Sequence, residues 1–189
     1  MEQIARLALN KALKKYFKEN FGKVLDIGGK HRPYKKMIQK ISYISLDINP
    51  NHNPDIVADI HNIHMIRNNS FDTILATEVL EHCHNPKKAV SEIYRILKKG
   101  GTAIISTPFL YPYHPDPKDY YRYTKDGLKE LCIDFKEISI IPVGNRFLFM
   151  WEMLTWKIKA LKLFNPILIK ILDYKDENGP IDFITIAKK

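Results

Sequence analysis

The chain has 189 residues, 45% of them hydrophobic and 27% charged, with 8 Gly and 11 Pro. That length holds one domain with a proper core and is short for two, and the composition excludes disorder, collagen-like repeats and low-complexity sequence. The net charge of +9, from 30 Lys+Arg against 21 Asp+Glu, suits an acidic partner such as nucleic acid, an anionic membrane face or a phosphorylated substrate. It is equally what a lysine-rich surface gives, because the lysines are spread along the chain.

Cys83 and Cys132 lie far apart in apolar helical contexts, which reads as two buried thiols in a reducing compartment. The first twenty residues lack the apolar run and small-residue cleavage site of a secretory signal, and no stretch reaches the roughly 18–20 apolar residues that span a bilayer. A soluble cytoplasmic protein is expected, membrane-peripheral at most.

Residues 3–19 place Ile4, Leu9, Leu13, Tyr16 and Phe17 near helical spacing, an amphipathic leader helix that ends near Gly22. Lys23 to Ile27 is a short β-branched run reaching two glycines, a buried strand followed by a tight turn. Residues 33–40 have helical character, with Pro33 in the first turn. Further strands are expected at 43–47, 55–59, 71–76 and 102–107, with a helix over 86–99 closed by Gly100-Gly101. Thr124 N-caps a helix to Leu131, and residues 135–143 and 182–187 are the last strands. The order predicts a single α/β domain over 1–189: a doubly wound, mostly parallel seven-stranded sheet with helices on both faces.

Such sheets bind ligands outside the carboxyl ends of their strands, where Gly28-Gly29, Asp47, Asp59, Thr77-Glu78 and the segment from Pro108 fall. Glycines after a buried strand let backbone N–H groups approach a ligand. Asp47 follows Asp26 by 21 positions, the place from which a carboxylate accepts both hydroxyls of a ribose. A pyrophosphate would want G-x-G-x-x-G, whereas the turn here runs Gly28-Gly29-Lys30-His31-Arg32-Pro33. Asp26 beside it repels phosphate and suits an ammonium group. S-adenosylmethionine, with an amine, a sulfonium and no phosphate, matches better than a dinucleotide.

In order and spacing, Val24-Leu25-Asp26-Ile27-Gly28-Gly29, Leu46-Asp47-Ile48, Val57-Ala58-Asp59-Ile60, Phe71-Asp72-Thr73-Ile74, Glu78-Val79-Leu80-Glu81-His82 and Arg95-Ile96-Leu97-Lys98-Lys99-Gly100-Gly101 resemble the class I S-adenosylmethionine-dependent methyltransferases, type 11 group. The resemblance implies that Asp26 and the Gly28-Gly29 backbone face the methionine moiety, that Asp47 holds the ribose and that Ile48 lies against adenine. It further implies that Asp59 accepts from the adenine amino group beside the Ile60 backbone, and that Thr77 and Glu78 line the methionine end. Lys30 stands where the family pattern D-x-G-x-G has its second glycine.

Residues 107–123 contain five tyrosines, four prolines, a His and an Arg. Prolines pre-order a loop, and tyrosines supply flat amphipathic walls for sugar or aromatic faces. From Thr107 to Thr124 the sequence resembles a subset of the type 11 group associated with cell-surface glycan biosynthesis, with the pattern T-P-F-x-Y-P-x-H-x-x-P-x-D-Y-x-R-Y-T. Tyr111, Tyr113, Tyr120 and Arg122 are expected to bind the acceptor, Arg122 as a clamp on a carboxylate or phosphate. A hydroxyl acceptor has a proton to lose, and His114 is the candidate base, with Asp119 or Tyr121 sharing the work.

No metal site is expected: alternate residues such as His82 and His84 diverge, and His61 and His64 lie in a polar loop. His82 is expected to shape the pocket floor beside Glu78. The basic apolar stretch 146–172 is a helical insertion, lid or subunit surface, or an interfacial element resting on anionic lipid. The expected activity is O-methylation of a sugar or surface-glycan precursor. The alternatives are methylation of a small metabolite or of RNA, and a non-catalytic cofactor-binding protein. A nucleic-acid partner is disfavoured because the chain has no basic stripe interleaved with aromatics outside the loop.

Overall fold

The computed structural model describes residues 3–17, 22–30, 34–38, 42–172 and 174–189. Helix α1 (Ile4–Tyr16) leads into β1 (Val24–Ile27), β2 (Tyr43–Asp47), β3 (Ile56–Val57) and β4 (Phe71–Thr77). Helix α2 (Pro86–Ile96), β5 (Leu97–Pro108), α3 (Lys125–Leu131) and β6 (Glu137–Val143) follow. Helices α4 (Arg146–Lys157) and α5 (Asn165–Ile171), joined by a 3-10 segment, precede β7 (Asp182–Lys188). The seven strands form one sheet in the order β3-β2-β1-β4-β5-β7-β6. Strands β1 to β5 pair in parallel, and β7 runs antiparallel between β5 and β6.

Strand alternation divides the core in two. Leu25, Ile27, Ile74, Ala76, Ala103 and Ile105 face α2 and α3, packing against Ile93 and Leu128. Val24, Leu75, Ile104 and Ile184 point the other way, toward Leu9 and Leu13 of α1, Leu148 of α4 and Ile169 of α5. A side-chain period of two thus gives every central strand two buried faces. Helix α1 has no side-chain cap of its own. Its first N–H groups, from Ile4 and Ala5, donate instead to Glu152 Oε2 on α4 at 2.8 and 3.4 Å. Glu152 is fully buried, and its other oxygen accepts from Trp156 Nε1 at 3.0 Å.

Two expected boundaries differ. Within 33–40, residues 34–38 are described, and they make turns rather than a helix: the Met37 and Ile38 N–H groups both return to the Tyr34 carbonyl. Tyr34 and Ile38 are buried and Met37 half-buried while Lys35 and Lys36 stay exposed, so the helical spacing of apolar residues is kept although the described residues make only turns. Helix α2 stops at Ile96, short of the glycine pair, because Leu97 already pairs with Phe71 as strand. Gly100 then adopts φ +75 in the irregular start of β5, and a Cβ on Gly101 would lie 2.8 Å from the Asp72 carbonyl. Thr124 caps α3 as expected, accepting from Gly127 N at 3.1 Å. No helix among the described residues is long and apolar enough to cross a membrane.

Candidate functional site

The site begins where β1 ends. Gly28 turns the chain with φ +69 while its N–H donates to the Leu46 carbonyl at 2.8 Å. A Cβ there would lie 2.5 Å from Val79 Cγ2, so both conformation and space call for glycine. One strand over, Asp47 ends β2 only 5% exposed. Its Oδ1 accepts from Asn49 N at 2.9 Å and its Oδ2 from Lys30 N at 3.3 Å. Backbone donors fix the carboxylate at the rim of a cavity of about 630 Å³.

Gly28, Asp47, Ile48, Asp59, Ile60 and Glu78 all line that cavity, the expected nucleotide set brought together from four loops. Ile48 is 58% exposed, an apolar surface inside a concave wall. Burial pushes the Asp59 carboxyl up, but hydrogen bonds from the His61 backbone at 2.9 Å and its side chain outweigh this and hold it below the usual range.

Asp26, Gly29 and Thr77 stand behind the lining. Asp26 is fully buried: Oδ2 accepts from the Tyr43 hydroxyl, and Oδ1 accepts no hydrogen bond among the described residues. Burial pushes its pKa up to about 7 against the lowering hydrogen bond from Tyr43, and Asp47 raises it further. A Cβ on Gly29 would meet Asp26 Oδ2 at 2.8 Å, so the second glycine makes room for that carboxylate. Thr77 hydrogen-bonds Tyr34 beneath the site. Glu78 sits at φ +55, its Oε1 accepting from Ser106 Oγ at 2.8 Å, and burial raises its pKa despite that bond and the charges of Arg6 and Arg122.

The aromatic loop folds over the far wall. Asp116, Pro117, Lys118 and Tyr120 line the cavity, and Lys30 forms an ion pair with Asp116. The residue in place of the family's glycine therefore ties the first turn to the loop. Arg122 is committed within the loop: it makes two bonds to Asp119 and donates to the carbonyls of Tyr111, Pro112 and Tyr121. Asp119 also accepts from His114 N at 2.9 Å, and chiefly the Arg122 bonds push its pKa down to about 2. Tyr111 donates to Gln3 Oε1 and Tyr121 to the His84 carbonyl, whereas Tyr113 is 72% exposed.

One grouping has no counterpart in the sequence reading. His84 does diverge, its ring lying 4.2 Å from that of His61. His82 instead lines the cavity with Glu78 and places its ring 5.1 Å from that of His114, with Glu81 beneath both. Glu81 is fully buried and neither of its oxygens accepts a hydrogen bond among the described residues. Burial, reinforced by Glu78, raises its pKa well above the usual range. The available signal was a charged Glu81-His82 pair in an apolar turn at a strand's carboxyl end. The 32 positions to His114 hid the rest.

The strand order, with a reversed β7 and a cavity over the first two parallel strand ends, defines the class I S-adenosylmethionine-dependent methyltransferase fold. The chain belongs to the methyltransferase-domain family, whose model matches residues 1–135. The mitochondrial ubiquinone biosynthesis O-methyltransferase of Dictyostelium discoideum is 33% identical over 78 residues, which take in 38% of this chain and 24% of that relative. A SAM-dependent methyltransferase from Archaeoglobus fulgidus superposes with a TM-score of 0.70 at 20% identity, covering 98% of this chain and 94% of that one. A Haemonchus contortus phosphoethanolamine N-methyltransferase 2 in complex with S-adenosyl-L-methionine gives 0.64 at 18% identity, covering 95% and 52%.

Proposed function

We propose that the chain transfers the methyl group of S-adenosylmethionine to a hydroxyl of a small-molecule acceptor, and that this acceptor is a sugar or surface-glycan precursor. The observation that carries the cofactor is Asp47: a buried carboxylate, held by backbone donors, at the rim of a concave site of ligand size. The surroundings fit the same molecule. Ile48 offers adenine an apolar face, Asp59 and the Ile60 backbone stand at its amino edge, and Gly28 lines the end of the cavity where the methionine chain would lie. The unpartnered Oδ1 of Asp26 suits an ammonium, directly or through water, and Thr77 and Glu78 close that end.

Bound S-adenosylmethionine supplies an activated sulfonium methyl, so the protein's work is alignment and exclusion of water. Tyr120 and the Asp116–Lys118 segment roof the cavity. Asp119 and Arg122 hold His114 and the Tyr111–Tyr113 backbone in place behind that roof. The acceptor hydroxyl loses its proton beside His82, which lines the cavity, with the His114 ring 5.1 Å behind it. Tyr121 stands outside the lining, its hydroxyl on the His84 carbonyl. The 107–124 pattern supports a glycan acceptor, as does the exposed face of Tyr113.

Calorimetry with S-adenosylhomocysteine, followed by a labelled-methyl transfer screen over nucleotide sugars, other small metabolites and RNA, tests the proposal. Tight binding with label in a sugar is the expected result. Label only in a metabolite or RNA replaces the acceptor, and binding without transfer in any arm reduces the chain to a cofactor-binding protein. We further assign the exposed Met150, Leu154, Ile158, Leu163, Phe164 and Ile167, with Lys157, Lys159 and Lys162 among them, to peripheral contact with an anionic membrane surface.

A further inference from the structure

We propose that Glu81, His82 and His114 bind a divalent first-row cation of zinc type at the inner wall of the cofactor cavity. The three ligand atoms lie within 4.8 Å of one another. His82 Nε2 stands 3.7 Å and His114 Nε2 3.9 Å from the same oxygen, Glu81 Oε1. Around a zinc ion with bonds of about 2.0–2.1 Å, tetrahedral ligand atoms sit about 3.3 Å apart, so closing the site shortens the two Glu81 distances by roughly half an ångström and the His82–His114 separation by at most about 1.5 Å.

The orientation of the rings is the second observation. His82 Nδ1 lies 2.6 Å from the Lys118 carbonyl, and His114 Nδ1 lies 3.1 Å from the Pro112 carbonyl. A carbonyl only accepts, so His82 Nδ1 carries the proton and its Nε2 presents a lone pair toward Glu81. His114 Nδ1 also has Asp119 Oδ2 and the Arg122 Nη2 donor each at 3.3 Å, and the two oxygens among its three neighbours favour the same tautomer. This is the outer-shell arrangement that orients metal-binding histidines. Glu81 supplies the third observation: fully buried, with neither oxygen accepting a hydrogen bond among the described residues, it is kept protonated by burial, and a cation beside it is the partner that would let it ionise there. Two imidazoles and one carboxylate with coordination positions left open match the donor set of catalytic zinc and of other borderline first-row ions, whereas magnesium and calcium prefer oxygen. Of the three only His82 lines the cavity, beside Glu78, while Glu81 and His114 stand behind it, so the proposed ion meets the cavity on its His82 side.

The role that follows rests on the methyl-transfer reading, although the site itself does not. An acceptor hydroxyl bound there loses its proton to solvent more readily, and its oxygen then forms the bond to the methyl carbon as the carbon–sulfur bond breaks.

The test uses the full, tag-free chain, stripped with a chelator and titrated with Co2+ under visible spectroscopy, then with Zn2+ in competition with a chromogenic chelator. One equivalent of each is expected to bind, with a nitrogen- and oxygen-ligand cobalt spectrum. Glu81→Gln, His82→Gln and His114→Gln are each expected to weaken binding at least tenfold, with an unchanged circular dichroism spectrum and a cooperative urea transition as the sign of an intact fold. Absence of stoichiometric binding by the unaltered chain overturns the site whether or not the variants fold. So does a sulfur-to-cobalt band, which would place the ion on Cys83 or Cys132, or unchanged affinity in variants that remain folded. S-adenosylhomocysteine binding without cobalt binding removes the cation and leaves the methyltransferase reading standing. Cobalt binding without methyl transfer does the reverse.

Discussion

Arg122 grips Asp119 through two parallel hydrogen bonds, Nη1 to Oδ1 at 2.5 Å and Nη2 to Oδ2 at 2.7 Å. The same guanidinium donates to three backbone carbonyls, so the pair organises the loop that roofs the cavity. Replacing Arg122 with Ala leaves Asp119, 2% exposed at its side chain, without its main partner. A loss of about 1.5–3 kcal/mol is expected for such charge-assisted bonds, read as a fall in urea midpoint. Because the Asp119 pKa is pushed down to about 2, its contribution is complete above the ordinary carboxylate value near 4. It is lost as pH falls through about 2. An acid-unfolding curve that is the same in Arg122→Ala as in the unaltered chain would count against the pair.

Asp47→Asn removes the charge but not the shape at the cavity rim. The expected result is a loss of roughly 10–100-fold in S-adenosylhomocysteine affinity, from about 1.5–3 kcal/mol of charged hydrogen bonding. Calorimetry reads it directly, and an unaltered Kd would place the ribose elsewhere.

Asp26 titrates in the opposite sense to Asp119. Its folded pKa is pushed up to about 7, so between about pH 4 and pH 7 the folded chain holds a proton that the unfolded chain has released. Stability of the cofactor-free protein therefore falls as pH rises through that window. Asp26→Asn is expected to flatten the dependence and to be the more stable form at pH 8. Denaturant melts at pH 5 and pH 8 decide it.

Glu152→Ala withdraws the acceptor of the first N–H groups of α1. A cost of about 1–2 kcal/mol is expected, in the range of other lost helix caps, which for a chain of this size is about 2–8 °C in Tm. Glu152→Gln keeps an oxygen acceptor and is expected to recover part of it.

Sedimentation with vesicles containing anionic lipid tests the exposed strip of α4 and its neighbours. Leu163→Ser with Phe164→Ser is expected to abolish co-sedimentation, and high salt to weaken it through screening of the lysines. Equal recovery with and without the substitutions would remove the membrane assignment.

Most of the sheet was legible because parallel strands read as short β-branched runs, as in Val24–Ile27 and Thr102–Thr107, separated by helix-length segments. The convergence of residues on the cavity was legible for the same reason: strand ends fix their neighbours in space, so Gly28, Asp47 and Asp59 needed only correct strands to come together. The loop was different. Arg122 had every mark of a substrate clamp, but its fork is filled by Asp119, and no spacing rule tells an internal partner from an external one. His114 meets His82 only because the loop doubles back over Glu81, a path set by Tyr120 N donating to the Glu81 carbonyl at 2.8 Å.

The cap that α4 places on α1 has a consequence for biosynthesis. Ile4 is synthesised 148 positions ahead of its acceptor Glu152. At roughly 5–20 residues per second, the leading helix spends on the order of ten seconds or more as nascent chain with its apolar face uncovered. A segment in that position is a natural client for whatever holds unfinished polypeptides, and its docking marks the moment at which the domain closes.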